Sequence, residues 1–334
     1  MDAGGCRELG DAMTRVERFH PSTKVGEWVS GTIAAPLPTT HVFSAGYVMG
    51  SGSYTDIVDK FLFPDDIRTT LATGLSSGRS AGAGMSNSGT AGYHAGGGTS
   101  GNVPVTTVDK LAYSDDARST LATGLADTRT NIPFGLSNSG TAGYIGGGWS
   151  YTGNDVIDKT DKFAFSNDSR STLSDTLVAA LSYVSGMANS GTAGYVGAGY
   201  TTSNLSRVEK LPFSSDTYST LSASLSAAVR LGAAMANSGT AGYFAGGYGS
   251  SSVTTVDKFA FSNDARSTLG TGLSAATYSG SGYANSGVAG YFCGGTSGSN
   301  TDKFAFSNDS RSTGTTLSTA RSYMGAAANE SSLV

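Results

Sequence analysis

Cysteine, proline, histidine and charge are all scarce in this chain of 334 residues. Its two cysteines, Cys6 and Cys293, are too few for a disulfide scaffold and stand in no metal-ligand or redox spacing. With only 14 % charged residues and seven prolines, the chain is unlike a charged or proline-rich disordered tail. Lys and Arg number 21 against 25 Asp and Glu, and no basic cluster occurs, so the electrostatic footprint of a nucleic-acid binder is missing. No run of 18 apolar residues is present, so no membrane insertion is expected. Residues 1–16 lack the basic flank and apolar stretch of a secretory signal.

Glycine is abundant instead, at 48 residues scattered among serine and threonine, as in an all-β chain with many tight turns. The triplet Ala-Gly-Tyr recurs with its tyrosine at Tyr47, Tyr93, Tyr144, Tyr195, Tyr243 and Tyr291, spaced by 46, 51, 51, 48 and 48 residues. A second marker, an acidic residue, a lysine and an apolar residue, falls at Lys60, Lys110, Lys162, Lys210, Lys258 and Lys303. A weaker copy at residues 16–19, Val-Glu-Arg-Phe, raises the number of units to seven. This period suits four short strands, one propeller blade, and no helical spacing of apolar residues competes with it.

Each unit reads as four strands. A first strand of small residues, as at residues 81–85 and 232–235, fits the crowded axis of a ring. An Asn-Ser-Gly turn follows, for example Asn138 to Gly140, with residues that tolerate positive φ. The second strand is Gly-Tyr-x-x-Gly-Gly, and the third alternates, placing Phe259 and Phe261 on one face and Val256 and Ala260 on the other. A turn then carries Asp six residues after each lysine, and a short Ser-Thr-Leu strand ends the unit. The chain starts in the phase of a second strand, at residues 1–5, and ends in that of a first strand, at residues 321–329. The expected fold is therefore all-β: a single seven-bladed β-propeller of four-stranded blades, its ring closed by pairing of the N- and C-terminal strands. One domain, 1–334, would hold units near 1–44, 45–88, 89–139, 140–190, 191–238, 239–286 and 287–334. In that alignment Cys6 and Cys293 fall near equivalent strands of units that meet at closure, which leaves one disulfide open beside two buried thiols.

These residues resemble the Kelch repeat, in the Gly246-Gly247 pair after Tyr243, the strand from Val256 to Phe259, and an arginine ahead of the small-residue strand at Arg79, Arg129, Arg230 and Arg321. The fuller wording is Lys-Phe-x-Phe-Ser-x-Asp, Leu-Ser-x-x-Arg and Asn-Ser-Gly-x-x-Gly-Tyr-x-x-Gly-Gly. It resembles repeats of virion-associated and tail-fibre-like proteins of bacteriophages. That resemblance implies a non-enzymatic virion component, reaching the outside by lysis, whose partners are other virion proteins or a host-surface glycan, with a homo-oligomer left open. A cellular surface or secreted scaffold and a carbohydrate-active enzyme remain as alternatives.

Chemistry-bearing residues offer little for catalysis. Some Kelch-type propellers are copper oxidases, but His20, His41 and His94 occupy three different repeat positions and share no site. Almost all carboxylates sit at repeated positions, where a frame role is expected: the third-strand Asp-Lys pairs tying blades together, and the turn Asp capping its own turn. No catalytic residue, metal or cofactor is expected. Function should concentrate where blades differ, in the links between second and third strands. Those links carry Trp149, Tyr151, Tyr200 and Tyr248 among Ser, Thr, Gly and Asn, an uncharged vocabulary suited to stacking on sugars or peptides, and these four are the candidate ligand-binding residues.

Overall fold

The computed structural model describes residues 44–151 and 153–329. They form six four-stranded antiparallel sheets, so the propeller has six blades and not the expected seven. Blade I pairs Gly325–Asn329, Ala45–Met49, Val58–Leu62 and Ile67–Thr70, in that order from the axis outward. Blades II to VI follow in sequence, with inner strands Ala83–Asn87, Phe134–Asn138, Ser185–Asn189, Ala233–Asn237 and Gly280–Asn285.

The miscount has a physical reason. Ala45–Met49 takes Gly325–Asn329 as its inner neighbour, in register from Ala45 opposite Asn329 to Met49 opposite Gly325. That pairing closes the ring with the C-terminal strand, as expected. Its partner, however, is the first Ala-Gly-Tyr strand and not residues 1–5. The weak copy at residues 16–19, the expected first unit 1–44, Cys6, His20 and His41 all lie outside the described residues.

Sequence and packing agree along each blade. The inner strands are rich in Gly, Ala and Ser because they approach one another around the axis. A Cβ added at Gly135 would overlap the carbonyl oxygen of Gly84, and one at Gly84 would overlap that of Ala326. Second strands are buried at every position. Third strands bury both faces: Phe259 and Phe261 pack with Met187 and Tyr195 of blade IV, whereas Val256 packs with Phe292 and Phe304 of blade VI. Outer strands are short and largely exposed, which limits edge pairing.

One clasp is repeated in all six gaps between blades. Each Ala-Gly-Tyr ring stacks on an aromatic ring of the next blade at 5.0–5.6 Å, as Tyr144 does on Phe213. Its hydroxyl donates to the turn Asp of that next blade at 2.6–3.0 Å. The third-strand lysine lies over the same ring at 5.3–5.5 Å and pairs with the same Asp at 2.5–2.8 Å. Stacking, cation–π attraction and a charge-assisted hydrogen bond thus act on one spot. The turn Asp therefore does not cap its own turn, as expected for it; the residue before it does, as Asp115 accepts from Ala117 N–H and Asn167 from Ser169 N–H.

The third-strand acid makes a second tie. Asp59, Asp109, Asp161, Glu209, Asp257 and Asp302 are buried, and each accepts a backbone N–H from the linker that enters its blade. Blades I, II and III add a buried arginine: Arg321 to Asp59 at 2.6 Å, Arg79 to Asp109, and Arg129 to Asp161 at 3.2 Å. Asp59 shows the balance. Burial pushes its carboxyl up, but bonds from Ser318 and Thr70 and the Arg321 charge outweigh it and hold Asp59 below the usual carboxylate range.

Candidate functional site

Strand direction divides the ring into two faces. The lower face carries the Asn-Ser-Gly hairpins and the Asp turns; the upper face carries the links between second and third strands and the linkers between blades.

The lower face is used by the frame. Side-chain oxygens of Asn329, Asn87, Asn138, Asn189 and Asn237 each accept the N–H of the turn glycine in the following blade, at 2.7–2.9 Å. Running the other way, Ser88, Ser139, Ser190 and Ser238 donate their N–H to the hydroxyl of the turn serine in the following blade, at 2.8–3.1 Å. The channel between the inner strands is narrow and lined mainly by Gly, Ala, Ser and Met, joined by Leu136 and Tyr283 below and Phe134 and Val184 above, with cavities of about 150 Å³ at its lower and 80 Å³ at its upper mouth. Drug-sized ligands occupy about 300–1,000 Å³, so the channel is too small for an oligosaccharide.

On the upper face a collar of backbone bonds circles the axis. Ala81 N–H donates to Tyr323, Tyr323 to Ser279, Ser279 to Leu231, Leu231 to Tyr183, Tyr183 to Asn131, and Ile132 back to Ala81, at 2.7–3.2 Å. All these residues have φ between 50° and 61°, unusual for residues with a Cβ. The ring of bonds over-determines that conformation and fixes the linkers beside it.

Outside the collar, the four candidate residues separate into two groups. Trp149 is half-buried in a two-stranded ribbon, Trp149–Ser150 with Asp155–Val156, and Tyr151 at its tip is 70 % exposed. Tyr200 and Tyr248, on the links of blades IV and V, come together around Arg230. Its guanidinium carbon lies 4.7 Å from the Tyr200 ring centre, 5.5 Å from Tyr248 and 6.0 Å from Tyr183. Tyr278 stands edge-on to Tyr248 at 5.3 Å. Among the described residues no ring or cation contact joins Trp149 or Tyr151 to this cluster.

Backbone pairing holds the cluster in place. Arg230 and Tyr248 exchange N–H···O bonds at 3.1 and 2.7 Å, Ser182 and Tyr200 do so at 3.1 and 2.8 Å, and Asn204 Nδ2 donates to Gly249 O at 3.1 Å across the two links. Burial raises the Tyr183 phenol above its ordinary range, with Tyr323 adding to the effect and Arg230 opposing it. The chain matches no model of a known protein family and no curated protein. Its chemistry is read from its own residues.

Arg230, Tyr183 and Tyr278 were missed from sequence. Arg230 was grouped with the arginines ahead of the inner strand, but it stands seven residues before its turn asparagine, Asn237, where Arg79 and Arg321 stand eight before Asn87 and Asn329. Val229 takes the buried place, 7 % exposed, and Arg230 stands one position on, half-buried. Spacing alone carries no signal for this, since buried Arg129 stands nine residues before Asn138.

The remaining candidates for chemistry are interior. His94 is 1 % exposed in the second strand of blade II, where other blades place Val48, Ile145, Val196, Phe244 or Phe292, and neither ring nitrogen has a hydrogen-bond partner among the described residues. Burial, with the Arg79 charge added, lowers it to about 3, so the ring is neutral. Cys293 is a buried free thiol that burial pushes up to about 12. Among the described residues no three His, Cys, Asp or Glu side chains gather as a metal site would need.

Proposed function

We propose that the chain is a non-enzymatic structural and binding propeller of a bacteriophage virion, tail- or fibre-associated, that holds a host-surface glycan or another virion protein on its upper face. One observation carries the reading: repeated polar residues are consumed between blades, whereas the unrepeated upper links gather exposed and half-buried aromatic rings, with Tyr200 and Tyr248 about Arg230. Aromatic faces set among hydroxyl and amide side chains bind sugars and flat peptide surfaces without a deep pocket. The repeat wording, which resembles Kelch repeats and the repeats of phage tail-fibre-like proteins, supports the virion setting by analogy.

The test probes arrays of bacterial envelope polysaccharides and isolated particle proteins with the wild type and with Tyr200→Ala/Tyr248→Ala. Stacking of about 1–3 kcal/mol in total should be lost, a drop of about five- to a hundredfold in affinity. Undiminished binding would place the site elsewhere. A parallel Trp149→Ala/Tyr151→Ala variant tells whether the blade III ribbon belongs to the same face. For the virion setting, antibodies against the chain should decorate particles at the tail, and bare particles would overturn it.

A further inference from the structure

Arg230 is the only arginine among the described residues with no carboxylate at ion-pair distance. Every other guanidinium is matched: Arg68 and Arg321 with Asp59, Arg79 and Arg118 with Asp109, Arg129 and Arg170 with Asp161, Arg207 with Glu209, Arg266 with Asp257, and Arg311 with Asp302. In a frame that pairs its arginines so thoroughly, the exception is half-buried and lies within 6.0 Å of three phenol rings.

We propose that Arg230, with Tyr183, Tyr200 and Tyr248, forms a subsite for the carboxylate of an acidic sugar. This rests on the glycan-binding reading of the upper face and names the class of glycan.

A guanidinium attracted to ring faces still presents its in-plane N–H fork to an acceptor, and a carboxylate matches that fork with two parallel bonds. Flanking rings also reduce the water around the cation, which strengthens both its cation–π attraction and its pairing with an anion. A single guanidinium suits a planar monoanion; a phosphate dianion is better met by several cations, and every other arginine among the described residues is already paired with a carboxylate. The rest of the surroundings favours a sugar over a peptide. Thr201, Ser203, Asn204 and Ser251 line the adjacent links with hydroxyl and amide groups, the tyrosine faces fit the C–H faces of a pyranose, and the nearest cavities, about 20 Å³ each, offer no pocket for an apolar peptide anchor. Because Arg230, Tyr200 and Tyr248 are held by paired backbone bonds, little ordering entropy is lost on binding.

Titration calorimetry with tri-galacturonate and a sialylated trisaccharide, each beside its carboxyl-reduced neutral counterpart, tests the subsite. The wild type should bind the acidic form at least about tenfold more tightly than the reduced one, and added salt should weaken only the acidic form. Arg230→Gln should abolish the preference with an unchanged melting curve, and Arg230→Lys, which keeps charge but not the fork, should retain part of it. Equal binding of acidic and reduced sugars by the wild type overturns the subsite, whether or not the variants fold, and leaves the glycan reading standing. So does a preference that survives in a folded Arg230→Gln. If no sugar of either kind binds, while a particle protein binds and is lost in Tyr200→Ala/Tyr248→Ala, the ligand is a protein and the glycan reading fails with the subsite.

Discussion

Tyr291 donates its hydroxyl to Asp66 at 2.6 Å across 225 residues of sequence, and Lys303 reaches the other oxygen of the same carboxylate at 2.6 Å. This is the clasp of blade VI on blade I, the same in kind as that of Tyr93 and Lys110 on Asp168 between blades II and III. The seam where the ring closes is therefore built like every other gap. Asp66→Asn removes the charge that Lys303 and Tyr291 share and should cost about 1–3 kcal/mol. Asp168→Asn should cost the same within error. Denaturant midpoints for the two variants check this, and a markedly smaller loss at Asp66 would mean a loose seam.

The closing strand supplies a second prediction. Arg321 is buried and donates to Asp59 at 2.6 Å and to the carbonyls of Gly50 and Ile57 at 3.1 Å, just ahead of Gly325–Asn329. Arg321→Met leaves Asp59 buried with only its Ser318 and Thr70 donors beside Arg68, at an expected cost of about 3–5 kcal/mol. Deleting residues 321–334 also strips the inner edge of Ala45–Met49, and cooperative folding should be lost altogether. A deletion variant that melts with the wild-type midpoint would contradict the ring closure described here.

The period, the four-strand blade and the small-residue axis were legible because each is a local pattern repeated in register: Ala-Gly-Tyr, Asn-Ser-Gly, and the alternation around Phe259. Blade number was not local. It depends on which strand meets Ala45–Met49, and a weak copy at residues 16–19 was enough to add a unit that this pairing excludes. The clasp was half legible. Lysine and turn Asp were both visible, but their joining runs between blades, so nothing in one repeat shows that Asp168 serves Tyr93 and Lys110. Tyr200 and Tyr248 were found as departures from the repeat. Arg230 was not, because a shift of one residue along an extended segment reverses the side chain and a repeat alignment tolerates it.

Axial packing makes a third prediction. The Cβ of valine at position 135 has nowhere to go but into the Gly84 carbonyl, and backbone cannot yield as a side chain can. Gly135→Val should destabilise by more than about 3 kcal/mol or prevent folding. Ala326 faces the same axis with its methyl accommodated, so Ala326→Gly should cost only about 0.5–1 kcal/mol through chain entropy. Thermal melts of the pair distinguish steric closure of the axis from a general sensitivity of inner strands.

His94 makes the last prediction, on acid stability. Its ring is neutral in the fold, lowered to about 3 by burial and the Arg79 charge, against an ordinary value of 6.5. Below pH 6.5 the unfolded chain takes up a proton that the folded chain refuses, so stability falls as the pH drops through that window and levels off only near 3. The slope approaches about 1.4 kcal/mol per pH unit, or about 2 kcal/mol lost by pH 5. Asp59 and Asp109 are held below the usual 3.8 and add acid loss only beneath it, whereas Glu209, raised above 4.5 by burial, works the other way. A difference experiment cancels all of them. His94→Val installs the residue found at Val48 and Val196 and removes two unpartnered buried nitrogens, so it should be more stable than wild type at pH 7. Its advantage should grow steadily from pH 6.5 to pH 4. Denaturant titrations of both proteins at pH 7, 6, 5 and 4 measure it, and a constant difference would mean that His94 takes up its proton in the fold as readily as in the unfolded chain.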